Sequence, residues 1–77
     1  MDIRQLRYFV TVADEGQITR AAKKLNMAQP PLSHQLKIIE EELGTPLFFR
    51  NSRSVELTEA GWILYQRAIS ILQQIDD

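Results

Sequence analysis

ITRAAKKLNMAQPPLSHQLKIIEEELG, residues 18–44, is the stretch that decides the fold. Leu32, Leu36, Ile39 and Leu43 recur at helical spacing, which predicts one apolar face on a helix over 29–43. Gly44 is a natural stop for it. A shorter helical segment, 18–25, precedes it, with Ile18, Ala21, Ala22 and Leu25 inward and its basic residues on the other side. Only Asn26, Met27 and Ala28 separate the two. Pro30 and Pro31 fit the opening turn of the second helix. The first N–H groups of a helix have no internal acceptor, so proline loses nothing there, and its fixed φ suits the position. Two helices joined by so short a turn form a helix-turn-helix. Alanines at 21 and 22 let the helices approach closely where they cross.

Upstream, DIRQLRYFVTVADE (2–15) places Ile3, Leu6, Phe9, Val10 and Ala13 on one helical face, and Gly16 ends it. Downstream of Pro46 the period changes. Leu47–Arg50 and Val55–Leu57 read as short extended runs around a polar tip, Asn51-Ser52-Arg53-Ser54, which predicts a two-stranded hairpin. Thr58 is a good N-cap, with Glu59 in the first turn of a helix running to the end of the chain. The fold class is therefore mainly α: a winged helix-turn-helix, with a three-helix core and a two-stranded β-wing, followed by a long C-terminal helix. The division is residues 1–58 for the winged unit and 59–77 for a linker or dimerisation helix.

That last helix carries two apolar stripes. Trp62, Tyr65, Ile69 and Leu72 make one; Leu64, Ala68, Ile71 and Ile75 make the other. They lie roughly 110° apart, so together they span about twice the apolar arc of about 100° that one body-facing helix needs. One stripe covers the domain. The other predicts a partner, and in so short a chain that partner is a second copy; a single broad buried face is the alternative. Ala68 allows close packing on the body, so Trp62, Tyr65, Ile69 and Leu72 are expected to face the partner.

The chain has 77 residues, no cysteine, and a formal net charge of −1. It excludes a disulfide framework and a thiol metal site, and no apolar run approaches the roughly 18 residues of a membrane span. The N-terminus lacks the apolar core of a signal peptide, so the expected location is cytoplasmic. The net charge is awkward for a nucleic-acid partner, which wants a basic face, but its distribution is not. Residues 18–39 hold Arg20, Lys23, Lys24 and Lys37 and no acid; Arg50 and Arg53 lie at the hairpin; Glu40, Glu41 and Glu42 read as a solvated acidic run.

In a helix-turn-helix the second helix enters the major groove and its first residues meet base edges. Gln29, Ser33 and His34 can reach bases or phosphates there, and the Pro30-Pro31 face can pack on a thymine methyl. Free N–H groups at that helix start also suit phosphate. Ser33 and His34 are helix neighbours pointing about 100° apart, so they make no nucleophile–base pair. A single histidine without cysteine makes no metal site. The chain is expected to be neither an enzyme nor a cofactor binder.

AAKKLNMAQPPLSHQLKIIEEELGTPLFFR, followed by LTEAG, resembles the N-terminal DNA-binding domain of LysR-type transcriptional regulators over essentially the whole chain. The resemblance implies a bacterial regulator that binds double-stranded, interrupted palindromic operators. It implies dimers through the linker helix, tetramers of the full-length protein, and a small-molecule effector domain absent from this chain, which then looks like a fragment. It maps base contacts onto Gln29, Pro30, Pro31, Ser33 and His34. It places Lys37 and Arg50 near phosphate, and Arg53, on the wing, in the minor groove. Three residues depart from the pattern: His34 where many members have arginine, Ala28 where many have a capping serine or threonine, and Phe49 at a position more often polar. A winged-helix module for protein interaction or dimerisation, without DNA reading, is the alternative that the near-neutral charge leaves open.

Overall fold

The computed structural model describes residues 1–76, with side chains through Ile75; Asp77 lies outside the described residues. Its elements are helices α1 (Ile3–Glu15), α2 (Ile18–Lys24) and α3 (Gln29–Leu43), strands β1 (Phe48–Arg50) and β2 (Val55–Leu57), and helix α4 (Glu59–Asp76). The mainly helical winged architecture expected from the sequence is present.

Each boundary has a local cause. A capping box opens α1: the Gln5 N–H donates to the Asp2 carboxylate (2.8 Å), and the Asp2 N–H donates to the Gln5 side-chain carbonyl (3.1 Å). Gly16 closes α1 in the left-handed conformation, φ 72°. The turn of the helix-turn-helix is a Schellman closure built on Asn26, at φ 59°. There the Asn26 N–H donates to Lys23 O (3.1 Å) and the Met27 N–H to Ala22 O (2.9 Å), while Met27 packs against the core. Asparagine tolerates this backbone better than most residues, which is why three residues suffice to turn the chain.

The main core joins Phe9 and Val12 of α1, Ala21 and Ala22 of α2, Leu32, Leu36 and Ile39 of α3, and Leu47, Phe48 and Val55 of the wing. The Phe9 and Phe48 rings meet at 5.3 Å. Full burial of such a side chain stabilises by about 1.5–3 kcal/mol. Val12, not singled out in the periodicity, is fully buried, whereas Ile3 and Leu43 are exposed, because each sits at a helix end beyond the reach of the body. The strands pair antiparallel with Phe48 opposite Leu57, Phe49 opposite Glu56 and Arg50 opposite Val55. The Val55 N–H also donates to Gly16 O (2.9 Å), anchoring the wing to the end of α1.

α4 runs antiparallel to α1: Leu72 and Ala68 meet Leu6, Leu64 lies beside Val10, and the Tyr65 hydroxyl donates to Asp14. Its start explains LTEAG. The Gly61 N–H donates to Thr58 Oγ1 (3.0 Å), Thr58 Oγ1 donates to Pro46 O (2.8 Å), and the Thr58 N–H donates to Leu47 O (3.0 Å). Gly61 lies against this strand end so closely that a Cβ there would stand 2.2 Å from Leu47 O.

The partner-facing stripe needs correction at Leu72. Ala68 packs on the body as expected, but Leu72 is buried beside it, 9% exposed. The helix approaches the body where its side chains are smallest, along Gly61 and Ala68, and Leu72 follows one turn later on the same line. Trp62 remains 55% exposed, while Tyr65 and Ile69 are half-buried. Ile71 and Ile75, from the other stripe, are exposed.

Candidate nucleic-acid interface

The first turn of α3 is open to solvent. Ala28, the N-cap residue, supplies no side-chain cap, and Gln29, Pro30, Pro31, His34 and Lys37 are all exposed while Ser33 is half-buried. These side chains lie away from Leu32, Leu36 and Ile39, so core and interface share one helix without competing for a position. The prolines limit one expectation. With no N–H at 30 or 31, they remove two of the donors that a helix start offers an anion. Gln29 is already oriented, its Nε2 donating to Ser33 Oγ at 2.7 Å.

The wing tip comes to the same side. Gln29 and Ser33 of α3, Gln17 and Thr19 at the start of α2, and Arg53 and Ser54 of the tip line one cleft. Of the predicted recognition-helix and wing residues, Gln29, Ser33, Arg50 and Arg53 are brought together there, whereas Pro30, Pro31, His34 and Lys37 lie outside the cleft; Gln17 and Thr19 line it without having been singled out in the sequence. Asn51 orders the tip: its side-chain carbonyl accepts from Arg53 N (2.9 Å), Ser54 N (2.8 Å) and Ser54 Oγ (3.2 Å). The Arg53 side chain is left exposed, without an ion pair among the described residues.

Arg50 stands differently. Its guanidinium donates to Glu40 Oε1 at 2.7 Å, and the other Glu40 oxygen accepts from Leu47 N (2.7 Å) and Phe48 N (3.4 Å). Glu40 is therefore not part of a solvated acidic run. It ties α3 to β1 through Arg50, whose side chain stays partly exposed. The sequence reading missed this role, because nothing in a run of three glutamates marks the one facing the wing. Lys24 likewise pairs with Glu15 of α1 (3.3 Å), a surface pair worth little, whereas Arg20, Lys23 and Lys37 are exposed and have no ion pair among the described residues. Glu42 pairs with the Met1 ammonium. Phe49, at the position more often polar, is 66% exposed on β1.

Residues 3–62 match the family described as bacterial regulatory helix-turn-helix protein, lysR family. This chain belongs to that family. The LysR-family domain is 55% identical to the probable cat1 operon transcriptional activator of Acinetobacter lwoffii over 76 residues, covering 99% of this chain and 25% of that protein. It is 59% identical to the transcriptional regulator BudR of Klebsiella aerogenes, covering 99% of this chain and 53% of that one. Among solved structures, the BenM DNA-binding domain in complex with catB site 1 DNA superimposes with a TM-score of 0.95 at 51% identity, covering 99% of this chain and 84% of that one. The CbnR DNA-binding domain–DNA complex gives 0.94 at 41%, covering 99% and 87%. These relatives are transcriptional regulators. Among the described residues no helix is long and apolar enough to cross a membrane.

Proposed function

We infer that this chain is the operator-binding part of a longer bacterial regulator, reading double-stranded DNA with α3 in the major groove and the wing tip in the minor groove. The observation that carries this reading is the superposition, over 99% of the chain, on two LysR-family domains solved with DNA. The exposed first turn of α3 and the ordered wing tip beside it support it. Gln29, Pro30, Pro31, Ser33 and His34 then face base edges, Lys37 faces phosphate, and Arg53 enters the minor groove. Arg50 holds the wing through Glu40. Selection of the chain against a random duplex pool tests this: enrichment of an interrupted palindrome supports it, and no enrichment by a folded sample refutes it. Affinity should also fall with salt at a log–log slope of several units, since each phosphate contact releases counterions.

The chain acts as a homodimer through α4, with residues 1–58 reading DNA and the segment from 59 pairing. Ile71 and Ile75 are exposed large hydrophobics on the same helix as the buried Leu72, so they are the better candidates for the partner face. Sedimentation of Ile71→Glu and Ile69→Glu separates the two stripes: the one whose variant becomes monomeric faces the partner. In the longer protein the pairs assemble as tetramers, a further domain senses the small-molecule effector, and the location is the cytoplasm.

A further inference from the structure

The chain contains one histidine, and it stands on the DNA-facing surface of α3. His34 is exposed, two turns from the nearest carboxylate on its own face, and makes no hydrogen bond or ion pair among the described residues. We propose that His34 binds DNA in its protonated form, so that operator recognition takes up one proton per protomer and both affinity and base preference vary with pH. This rests on the DNA-binding reading above and deepens it.

The surroundings favour the cation in the complex. On α3 the charged residues sharing its face are Lys37, one turn on, and Glu41, two turns on. α2 exposes Arg20 and Lys23. α1 meets α3 through the Gln5–Gln35 hydrogen bond (3.0 Å) and carries Asp2, whose carboxylate is engaged by its own capping box, and Arg4, whose guanidinium lies 6.0 Å from the Tyr8 ring. The wing brings Arg53, and Arg50 held by Glu40. No protein carboxylate pairs with the imidazole, so the partner that stabilises its charge is the DNA. The duplex supplies guanine N7 and O6 and phosphate oxygens, all acceptors. A neutral imidazole offers one donor and one acceptor, whereas the cation offers two donors. Protonation therefore favours guanine or phosphate, and the neutral ring is left able to accept from an adenine or cytosine amino group.

The sign follows from linkage. An imidazole whose charge the complex stabilises has a higher proton affinity bound than free; the binding gain is complete below the free titration range and is lost as pH rises through the bound one. An imidazole ordinarily titrates between about pH 5 and 8, where ordinary carboxylates are already ionised. The Met1 ammonium is held by Glu42 at the opposite end of α3.

The test measures dissociation constants of the wild-type chain for the duplex enriched from a random pool, from pH 6 to pH 8 at fixed salt, with His34→Gln and His34→Arg alongside. The constant should rise about tenfold per protomer across that range for the wild type, and stay flat for both variants, with His34→Arg tight throughout at guanine-bearing sites. Selections repeated at the two pH values should differ in the base opposite residue 34. An equal pH dependence in wild type and His34→Gln overturns the proposal while leaving DNA binding standing, as does a flat wild-type profile. A folded chain that enriches and binds no duplex at either pH overturns it together with the reading on which it rests.

Discussion

Gly61→Ala is the most revealing stability perturbation. Glycine inside a helix normally costs about 1 kcal/mol relative to alanine, so propensity alone predicts that the change stabilises α4. The packing predicts the reverse. The new Cβ would lie 2.2 Å from Leu47 O, 2.9 Å from Leu57 Cδ2 and 3.1 Å from Leu47 C, where ordinary contacts are about 3.5–4.0 Å. The Leu57 methyl can turn aside, but the Leu47 carbonyl belongs to the backbone and accepts the Thr58 N–H. Separating helix and strand by the missing ångström or so costs about 1–3 kcal/mol or more of overpacking and about 1 kcal/mol of hydrogen bonding. Set against the propensity gain, the net loss is about 1–3 kcal/mol, a large part of the roughly 4–11 kcal/mol expected of a domain this size. Urea titration should show the midpoint falling, and thermal unfolding a Tm lower by about 4–24 °C. Gly16→Ala is the control: nothing lies within 4 Å of its Cβ, but its φ of +72° strains alanine, at a cost of about 1–2 kcal/mol. A Gly61→Ala chain as stable as the wild type, or more so, would refute the close-approach account.

Three other perturbations probe the interface and its supports. Glu40→Ala should destabilise by about 2–4 kcal/mol, because the Leu47 N–H and the Arg50 guanidinium both lose their acceptor; Glu40→Gln, able to keep the backbone bond, should lose less, by urea titration. Arg53→Ala should leave stability within about 0.5 kcal/mol yet weaken DNA binding most at sites with A·T-rich flanks, since arginine favours a narrow minor groove; equal weakening on every flank in a binding assay would contradict minor-groove insertion. The hydrogen bond to Asp14, with burial and the carboxylate's charge after it, raises the Tyr65 pKa above its ordinary 10.0. The phenol's contribution to stability is thus present below pH 10 and is lost as pH rises through the folded value. Tyr65→Phe should show a shallower alkaline fall in Tm than the wild type.

The helices were legible because each obeys a local rule. The 3–4 spacing of Leu32, Leu36 and Ile39, the paired alanines at 21 and 22, and Thr58 before the last helix all act through short-range geometry, and the structure places them as that geometry dictates. The exposed start of α3 followed from the same spacing, since fixing the inward stripe fixes the outward residues. What escaped depends on partners distant in sequence. Glu40 looks like its neighbours Glu41 and Glu42 until β1 arrives with two N–H donors and an arginine. Leu72 fits two stripes equally well, and only the docking of α4 along Gly61 and Ala68 decides between them. The resemblance places Arg50 near phosphate; its pairing with Glu40 was not legible, because sequence shows the charge but not the carboxylate beside it.

The carboxylate of Glu40 has a consequence for how a duplex would be gripped. It fastens the helix that would read bases to the strand that carries the wing tip, and Asn51 stiffens the tip itself. The two reading elements form callipers with a locked jaw. A duplex fitted between them must supply the adjustment: its groove width and bend are set by the protein, and sequences that deform cheaply are favoured at base pairs no side chain touches.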